Sequence, residues 1–529
     1  MENNSNKSGK PRETVTLILK KKQFVVEKQK LMDKCQYFAA LLSANFLEYE
    51  QTNHVINYDI SPISLQDFID WIHNDKIAFT SATRYDFEEL DRLLSLLKLG
   101  ILFAADKLIE DITDRLERHF MSPKYAIKIW LLAQELNINV LRDLSLALCL
   151  DRFDQLPFNS ICELSKEHFL KLIGNINVSA TKSHLLDIAQ KWMDYHQDFT
   201  VPLNIIENKE AKILHGIISC EHNNREQYIH CWDGNDFFEL TSFEYPPDII
   251  ERCSRTGSSL EGMQITARRY DLYLCGGEYG IGSGIFNKNV WRYSLISKKW
   301  ILETVMPVER RHMLAVCLKN KLLLVGGVGR NEQKLQTINI YDTYAGVWLS
   351  SSAKVPLHVE FPDVPEHIIF NDTLIIYPFM DYIYIYFPDK DVWKSERCFS
   401  SIHFEPRIDV PILMLQIMPC YIDVVDREEL VLKTITETCN VEGCNCIMKT
   451  ELYSTTLHMF TIEGEEDLEH RYYLFSKTYY NNDLHLHSIP IRDPKKFRSL
   501  ILTNCKNSAR RFFNLLHPAH LHSTNLDHI

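Results

Sequence analysis

The chain has 529 residues, 45% of them hydrophobic and 24% charged, the make-up of a globular protein too long for one ordinary domain. A formal net charge of −12 argues against a dedicated nucleic-acid binder, and the basic runs Lys20-Lys21-Lys22 and Arg310-Arg311 are too short to supply the clustered charge that phosphates need. No apolar run reaches the ~20 residues of a membrane helix: Leu93–Ala105 carries Lys98, and Val410–Val425 is interrupted by Pro411, Gln416 and Pro419. The polar lead-in Met1–Arg12 lacks the apolar centre of a secretory signal and is expected to be disordered over residues 1–11. The 14 cysteines are then expected as free thiols of a reducing compartment.

In chain order, TVTLIL (Thr14–Leu19) and QFVV (Gln23–Val26) predict a β-hairpin around a lysine turn. Helical periodicity follows over Lys30–Ala44 and Ser64–His73, and as one long pattern over Phe87–Phe120. Beyond Ser122 the chain stays helical: Pro123 suits a first helical turn, Ile127, Trp130, Leu131 and Gln134 begin a face, and Leu141, Leu144 and Leu148 continue the rhythm. Ser165–Leu172 and His184–Tyr195 add two more helices. The character changes near residue 225. Glycine is sparse before that point, as at Gly100, Gly174 and Gly216; after it come short apolar strands, glycine pairs and many Tyr and Trp. Runs of helices followed by runs of strands predict separate domains.

The second part repeats. Leu272-Tyr273-Leu274-Cys275-Gly276-Gly277 is echoed fifty residues on by Leu322-Leu323-Leu324-Val325-Gly326-Gly327. Trp300 follows the first glycine pair and Trp348 the second; a weaker copy, Leu374-Ile375-Ile376-Tyr377, leads to Trp393 without a glycine pair. A period near 50 is that of four-stranded propeller blades. The strand before each glycine pair is expected to be buried on both faces, the glycines to turn without a Cβ clash, and the tryptophan to pack between blades.

With these features the chain resembles the BTB–BACK–Kelch (Kelch-like) family over nearly its whole length. Phe24-Val25-Val26-Glu27-Lys28-Gln29-Lys30-Leu31 followed by Tyr37-Phe38 resembles that family's Phe-x-x-His-Arg-x-x-Leu…Tyr-Phe stretch, and Phe68–His73 resembles the helix that normally ends in a Tyr-Thr-Gly turn. Residues 122–196 resemble the BACK domain, with Glu163–Glu167 and Trp192 in place. Thr14 and Glu27 depart from the family's Asp and His, so the usual polar pocket of the dimer is altered. The resemblance implies a multidomain α+β protein: an α/β BTB dimerisation domain over residues 12–120, an all-helical BACK domain over 121–224, and an all-β Kelch propeller of six blades over 225–515 with degenerate later repeats. A flexible tail over 516–529 would follow.

It also implies sites. Phe46-Leu47-Glu48 looks like the hydrophobic-x-Glu motif through which BTB adaptors meet cullin-3, an apolar anchor beside a register-fixing carboxylate; an ordinary solvent-side loop is the alternative. Arg310, Arg311 and His312 are expected to contact a propeller partner, the alternative being that the arginines pair with acidic neighbours between blades. The glycines Gly276, Gly277, Gly326 and Gly327 and the tryptophans Trp300, Trp348 and Trp393 are expected to be structural. Cys439, Cys444 and Cys446 lack the paired spacing and fourth ligand of a zinc site, and His517, His520, His522 and His528 read as incidental to a tail. Gly276–Gly282 has no Lys-Ser ending and is no phosphate loop. No catalytic residue, metal or cofactor is expected. The expected function is a homodimeric, non-catalytic adaptor in the cytoplasm, open also to the nucleus, that recruits an unidentified protein substrate to a cullin-3 ubiquitin ligase. The alternative is a cullin-independent scaffold for cytoskeletal proteins such as actin.

Overall fold

The computed structural model describes residues 13–43, 51–77, 87–197, 200–206, 213–220, 226–234, 236–356, 359, 366–370, 372–377, 382–397 and 512–525, with seven backbone strands between 415 and 502. They fall into two units, Met1–Ala211 with Ala519–Ile529, and Lys212–Pro518.

The first unit begins with a three-stranded sheet. Thr14–Leu19 lies between Lys22–Glu27, antiparallel to it, and Asn53–Val55, parallel to it. The hairpin turns through Lys20 and Lys21, both at positive φ, so the lysine turn takes the geometry usually given to Asn-Gly. Alternation along TVTLIL sends Val15, Leu17 and Leu19 into the core. Helices Lys28–Lys34 and Gln36–Leu41 follow, parted at the extended Cys35. Next come Pro62–Asn74, Phe87–Leu102 and Asp106–His119. The long helical pattern over Phe87–Phe120 is therefore two helices. Ala104 breaks it at φ +48°, and the freed carbonyls of Phe103 and Ala104 accept from the backbone N–H of Tyr37 (3.3 Å) and Gln36 (3.2 Å). The rings of Phe38, Phe68 and Tyr37 gather around Phe103 at 4.9, 5.1 and 5.6 Å. Lys30 and Lys34 cap the negative end of the Pro62–Asn74 helix, donating to the carbonyls of His73 and Ile72.

Five helices continue this unit: Pro123–Glu135, Asn139–Asp151, Phe158–Cys162, Lys166–Ile173 and Lys182–His196. One hydrophobic core runs from Val15 to Leu141, across the residue 120 boundary drawn from sequence. Trp192 stacks on Phe169 at 4.5 Å. The last described residues also belong here: the tail expected to be loose instead lays residues 520–525 against Gly174–Asn177, held by hydrogen bonds.

The second unit contains six sheets of three or four antiparallel strands among its described residues. The second sheet runs Gln264–Arg268, Asp271–Cys275, Asn289–Ser294, Lys299–Val305; the third runs Leu314–Leu318, Lys321–Val325, Thr337–Asp342, Val347–Lys354. Each is a meander, the fourth (Glu366–Arg397) likewise. The repeat predicted from Leu272 and Leu322 thus marks the second strand of its sheet. Those strands are buried on both faces, and alternate residues enter different cores. Leu272 and Leu274 pack against the first sheet's Ile218, Phe243 and Phe513. Tyr273 and Cys275 face the third sheet's Leu322 and Leu324, while Leu323 and Val325 face Leu374 and Ile376 of the fourth. Successive sheets therefore stack face to face, as propeller blades do.

The first sheet differs from the sequence expectation. Its strand Ile213–Cys220 precedes residue 225, in the stretch assigned from sequence to the helical domain. Its apolar run, ILHGIISC, carries no turn signal and suits a buried helix as well as a strand. That strand pairs on one side with Glu226–Trp232 and on the other with Phe512–Leu516, so the last strand completes the first sheet. At this seam Gly216 lies opposite Phe513, whose ring occupies the space a Cβ would need.

Beside them, the buried His215 faces Asn514, Nδ1 to Oδ1 2.8 Å. Burial pulls the His215 imidazole down from 6.5 to about 4, outweighing the Asn514 hydrogen bond, and burial lowers His230 as well. As pH falls below 6.5 the unfolded chain takes up protons that the folded seam refuses. Stability present above that pH is therefore lost towards pH 4, at up to about 1.4 kcal/mol per pH unit for each such histidine. Thermal melts of the full chain between about pH 7.5 and 4.5 should show this loss, and His215→Phe should flatten it. Identical pH profiles for the two proteins would contradict the assignment.

Candidate functional site

The residues singled out in the repeat converge on one node between the second and third sheets. Gly276 and Gly277 have φ +64° and +98°, Gly326 and Gly327 +60° and +94°, all in the region that disfavours a side chain. The chain also passes too close for one: a Cβ on Gly276 would stand 2.5 Å from the Arg310 carbonyl, and one on Gly327 2.7 Å from that of Arg311. Gly277 N–H donates to the Arg310 carbonyl at 2.9 Å, and Arg311 and Val328 exchange both backbone bonds.

Arg310 is fully buried. Its guanidinium donates to the carbonyls of Leu324, Gly326 (2.8 Å) and Thr337, to Thr337 Oγ1 and to Asn339 Oδ1. No carboxylate among the described residues pairs with it, and burial lowers its pKa to about 10, which leaves it protonated at neutral pH. Arg311, 4% exposed, forms an ion pair through Nε with the equally buried Glu278 (2.9 Å) and another through Nη2 with Glu332 (2.6 Å). Glu278 in turn accepts from Gly284 N–H at 2.7 Å, which fixes the 280–289 loop. His312 is half-buried against Gly262, its N–H on the Gly262 carbonyl. The structure therefore corrects the expectation that Arg310 and Arg311 meet a partner. Both are framework residues, because their charged ends are spent on carbonyls and acids inside the unit; only His312 of the three is partly exposed.

The tryptophans of the repeat each bond to or pack against a neighbouring group. Trp300 donates to the Glu244 carbonyl of the first sheet (2.7 Å) and Trp348 to Thr304 Oγ1 of the second (3.0 Å), so each ties its sheet to the preceding one. Each tryptophan also faces a tyrosine seven residues earlier: Tyr293–Trp300, Tyr341–Trp348 and Tyr386–Trp393, with centroids 5.1, 5.2 and 5.0 Å apart. The constant Tyr-x6-Trp spacing strengthens the match of the copy that lacks glycines to the other two. In that copy Asp391 accepts from Ser351, Ser352 and Tyr386; burial opposes its charge, yet these bonds hold its pKa below the usual range.

Phe46, Leu47 and Glu48 lie outside the described residues, as do Cys439, Cys444 and Cys446. The helix leading towards the first motif, Gln36–Leu41, is anchored by Tyr37 and Phe38 on Phe103. Thr14 is exposed and pairs across the hairpin with Glu27. Among the described residues no group of three or more His, Cys, Asp or Glu could hold a metal, and no helix is long and apolar enough to cross a membrane. The thiols of Cys35 and Cys317 are pushed up to about 12 by burial, far from the thiolate that nucleophilic chemistry needs. What the arrangement offers is framework for surfaces that bind.

The described residues thus comprise an α/β region with a three-stranded sheet, a run of helices, and stacked antiparallel sheets of three or four strands. Residues 3–119 match the BTB/POZ domain family model, so the chain carries a BTB domain at its N-terminal side. It is also similar to human Kelch-like protein 38, at 31% identity over 101 residues, covering 19% of this chain and 17% of that protein. The chain thus carries a BTB domain, and across 19% of its length it is similar to a Kelch-like protein.

Because Arg310 supplies the donors for three buried carbonyls, Arg310→Ala should lower stability by about 3 kcal/mol or more, and Arg310→Lys should recover little, since one ammonium cannot reproduce the fork. Arg311→Ala should also lower the melting temperature by stranding Glu278. Denaturant titration of the full chain tests both; an Arg311→Ala protein as stable as wild type would restore that residue to the surface.

Proposed function

We propose that the chain is a homodimeric, non-catalytic adaptor: its BTB domain pairs two copies and engages cullin-3, and its propeller holds a protein substrate for ubiquitin transfer by other subunits. The observation that carries this reading is the union in one chain of a BTB domain with a stacked-sheet β unit, a dimerising module joined to a binding module. The helical region between them fills the place of a BACK domain. Two propellers on one dimer would raise avidity for a multivalent substrate without any new contact.

Light scattering on the full chain should give twice the 62.0 kDa of one copy. Phe46→Ala combined with Glu48→Lys should leave that mass unchanged and weaken cullin-3 binding by roughly thirtyfold, the cost of truncating an interface anchor. A wild-type dimer that retains no cullin-3 in a pull-down would give way to the scaffold reading, in which the propeller binds cytoskeletal proteins such as actin. Thr14 and Glu27, which replace the family's acidic and imidazole pair, are the residues that favour this second reading.

A further inference from the structure

We infer that Ala519–Asn525 is a peptide ligand of the first unit carried in the same chain, and that the groove it occupies is a built peptide-recognition site. The groove is formed by the end of the Lys166–Ile173 helix, the residues Gly174–Asn177, and the 3-10 turn Leu203–Ile206. Two asparagines, each 3% exposed, are spent on the segment's backbone: Asn175 Nδ2 donates to the Leu521 carbonyl (2.8 Å) and Asn177 Nδ2 to that of His520 (2.7 Å). Asn175 Oδ1 accepts from Asn177 N–H at 2.8 Å, which fixes both side chains relative to each other. Backbone bonds run in both directions, Ile176 N–H to the Ser523 carbonyl (3.2 Å) and Asn525 N–H to that of Gly174 (2.8 Å). Asn525 Nδ2 donates to the Ile205 carbonyl at 2.9 Å, and Leu521 is 2% exposed. His522 reaches Asp143 Oδ1 at 2.8 Å.

This pattern is that of a receptor, since backbone bonds supply affinity while Leu521, Thr524 and Asn525 are selected by shape and amide pairing. Without the segment, two buried amides and the Gly174 and Ile205 carbonyls lose their partners, a penalty that favours occupancy. Glycine at 174 is required by the site: a Cβ there would stand 2.6 Å from Ile205, pushing apart the two carbonyls that receive Asn525. A cavity of about 340 Å³ lined in part by Trp130, Arg142 and Lys171 opens beside His522 and Thr524.

The test compares the full chain, a chain ending at Pro518, and a synthetic peptide of residues 519–529. The shortened chain should bind the labelled peptide saturably, a Leu521→Asp peptide should not bind, and Asn175→Ala in the chain should weaken binding by roughly tenfold. In the full chain, Leu521→Asp should abolish hydrogen-exchange protection of the Ile176 amide, with the Pro123–Glu135 helix still protected. Should the shortened chain fail to fold, the full-chain exchange experiment decides. A folded shortened chain that ignores the peptide, equal binding of the Leu521→Asp peptide, or unchanged Ile176 protection would each overturn the inference.

Discussion

A β-strand whose successive residues are apolar on both faces cannot sit in a sheet with one wet face. Asp271–Cys275 and Lys321–Val325 are such strands, and the stacking of the second unit follows from them: each needs a neighbour on both sides, and each finds one in the next sheet. Burying one such Leu or Val side chain stabilises by roughly 1.5–3 kcal/mol, so exposing either face of a sheet would forfeit several of these contributions at once. A stack of sheets held this way still has a first sheet that is short of a strand when the chain enters it. The return of Phe512–Leu516 to Ile213–Cys220 supplies that strand, and through Phe513 and Leu515 it supplies part of the core shared with the second sheet.

Stacked sheets leave the connections between them to be solved locally, and here the solution is a buried cation. Arg310 sits where the chain passes from the second sheet to the third, and its planar fork reaches the carbonyls of Leu324, Gly326 and Thr337 around the turn at Gly326-Gly327. Desolvating a guanidinium is costly, and with no carboxylate on it the charge is balanced by carbonyl dipoles converging from several strands. This explains why the glycine pairs accompany it. Only a backbone without Cβ can come near enough for Gly277 N–H to bond the Arg310 carbonyl while Gly326 receives its side chain. Arg311 extends the same logic outward through Glu278 to the 280–289 loop, turning a flexible glycine-rich stretch into a positioned one.

What could be read from the sequence follows from which features are periodic. The LYLCGG and LLLVGG copies and the tryptophans behind them gave the sheets, because double-faced burial and positive φ leave a direct mark on residue choice. The hairpin at Lys20-Lys21 was legible from alternation on either side of it. By contrast, the break at Ala104 left no proline or glycine, since it is stabilised from outside by the N–H groups of Gln36 and Tyr37. Ile213–Cys220 carries no clear strand signal of its own: its apolar run suits a buried helix equally, and one of its two partner strands lies some three hundred residues away. For Arg310 and Arg311 the sequence leaves open both a partner surface and pairing with acids between blades, because the acids and carbonyls around them come together only on folding. The tail misled for a similar reason: its histidines and small polar residues look solvated until Asn175 and Asn177 are seen to hold their backbone.

These long-range joins bear on how the β unit stays closed. The seam between Ile213–Cys220 and Phe512–Leu516 is non-covalent and joins the two ends of a long chain segment, a loop whose closure entropy grows only slowly with its length. Its weak point is therefore the short strand itself, five residues that must compete with fraying into water. The His215–Asn514 pair and the Phe513 ring over Gly216 then need to supply register more than affinity, since a slipped strand would put a buried imidazole against the wrong partner and a ring against a Cβ. Closure of the β unit thus depends on a short seam whose register is set by the Phe513 ring over Gly216 and the His215–Asn514 pair.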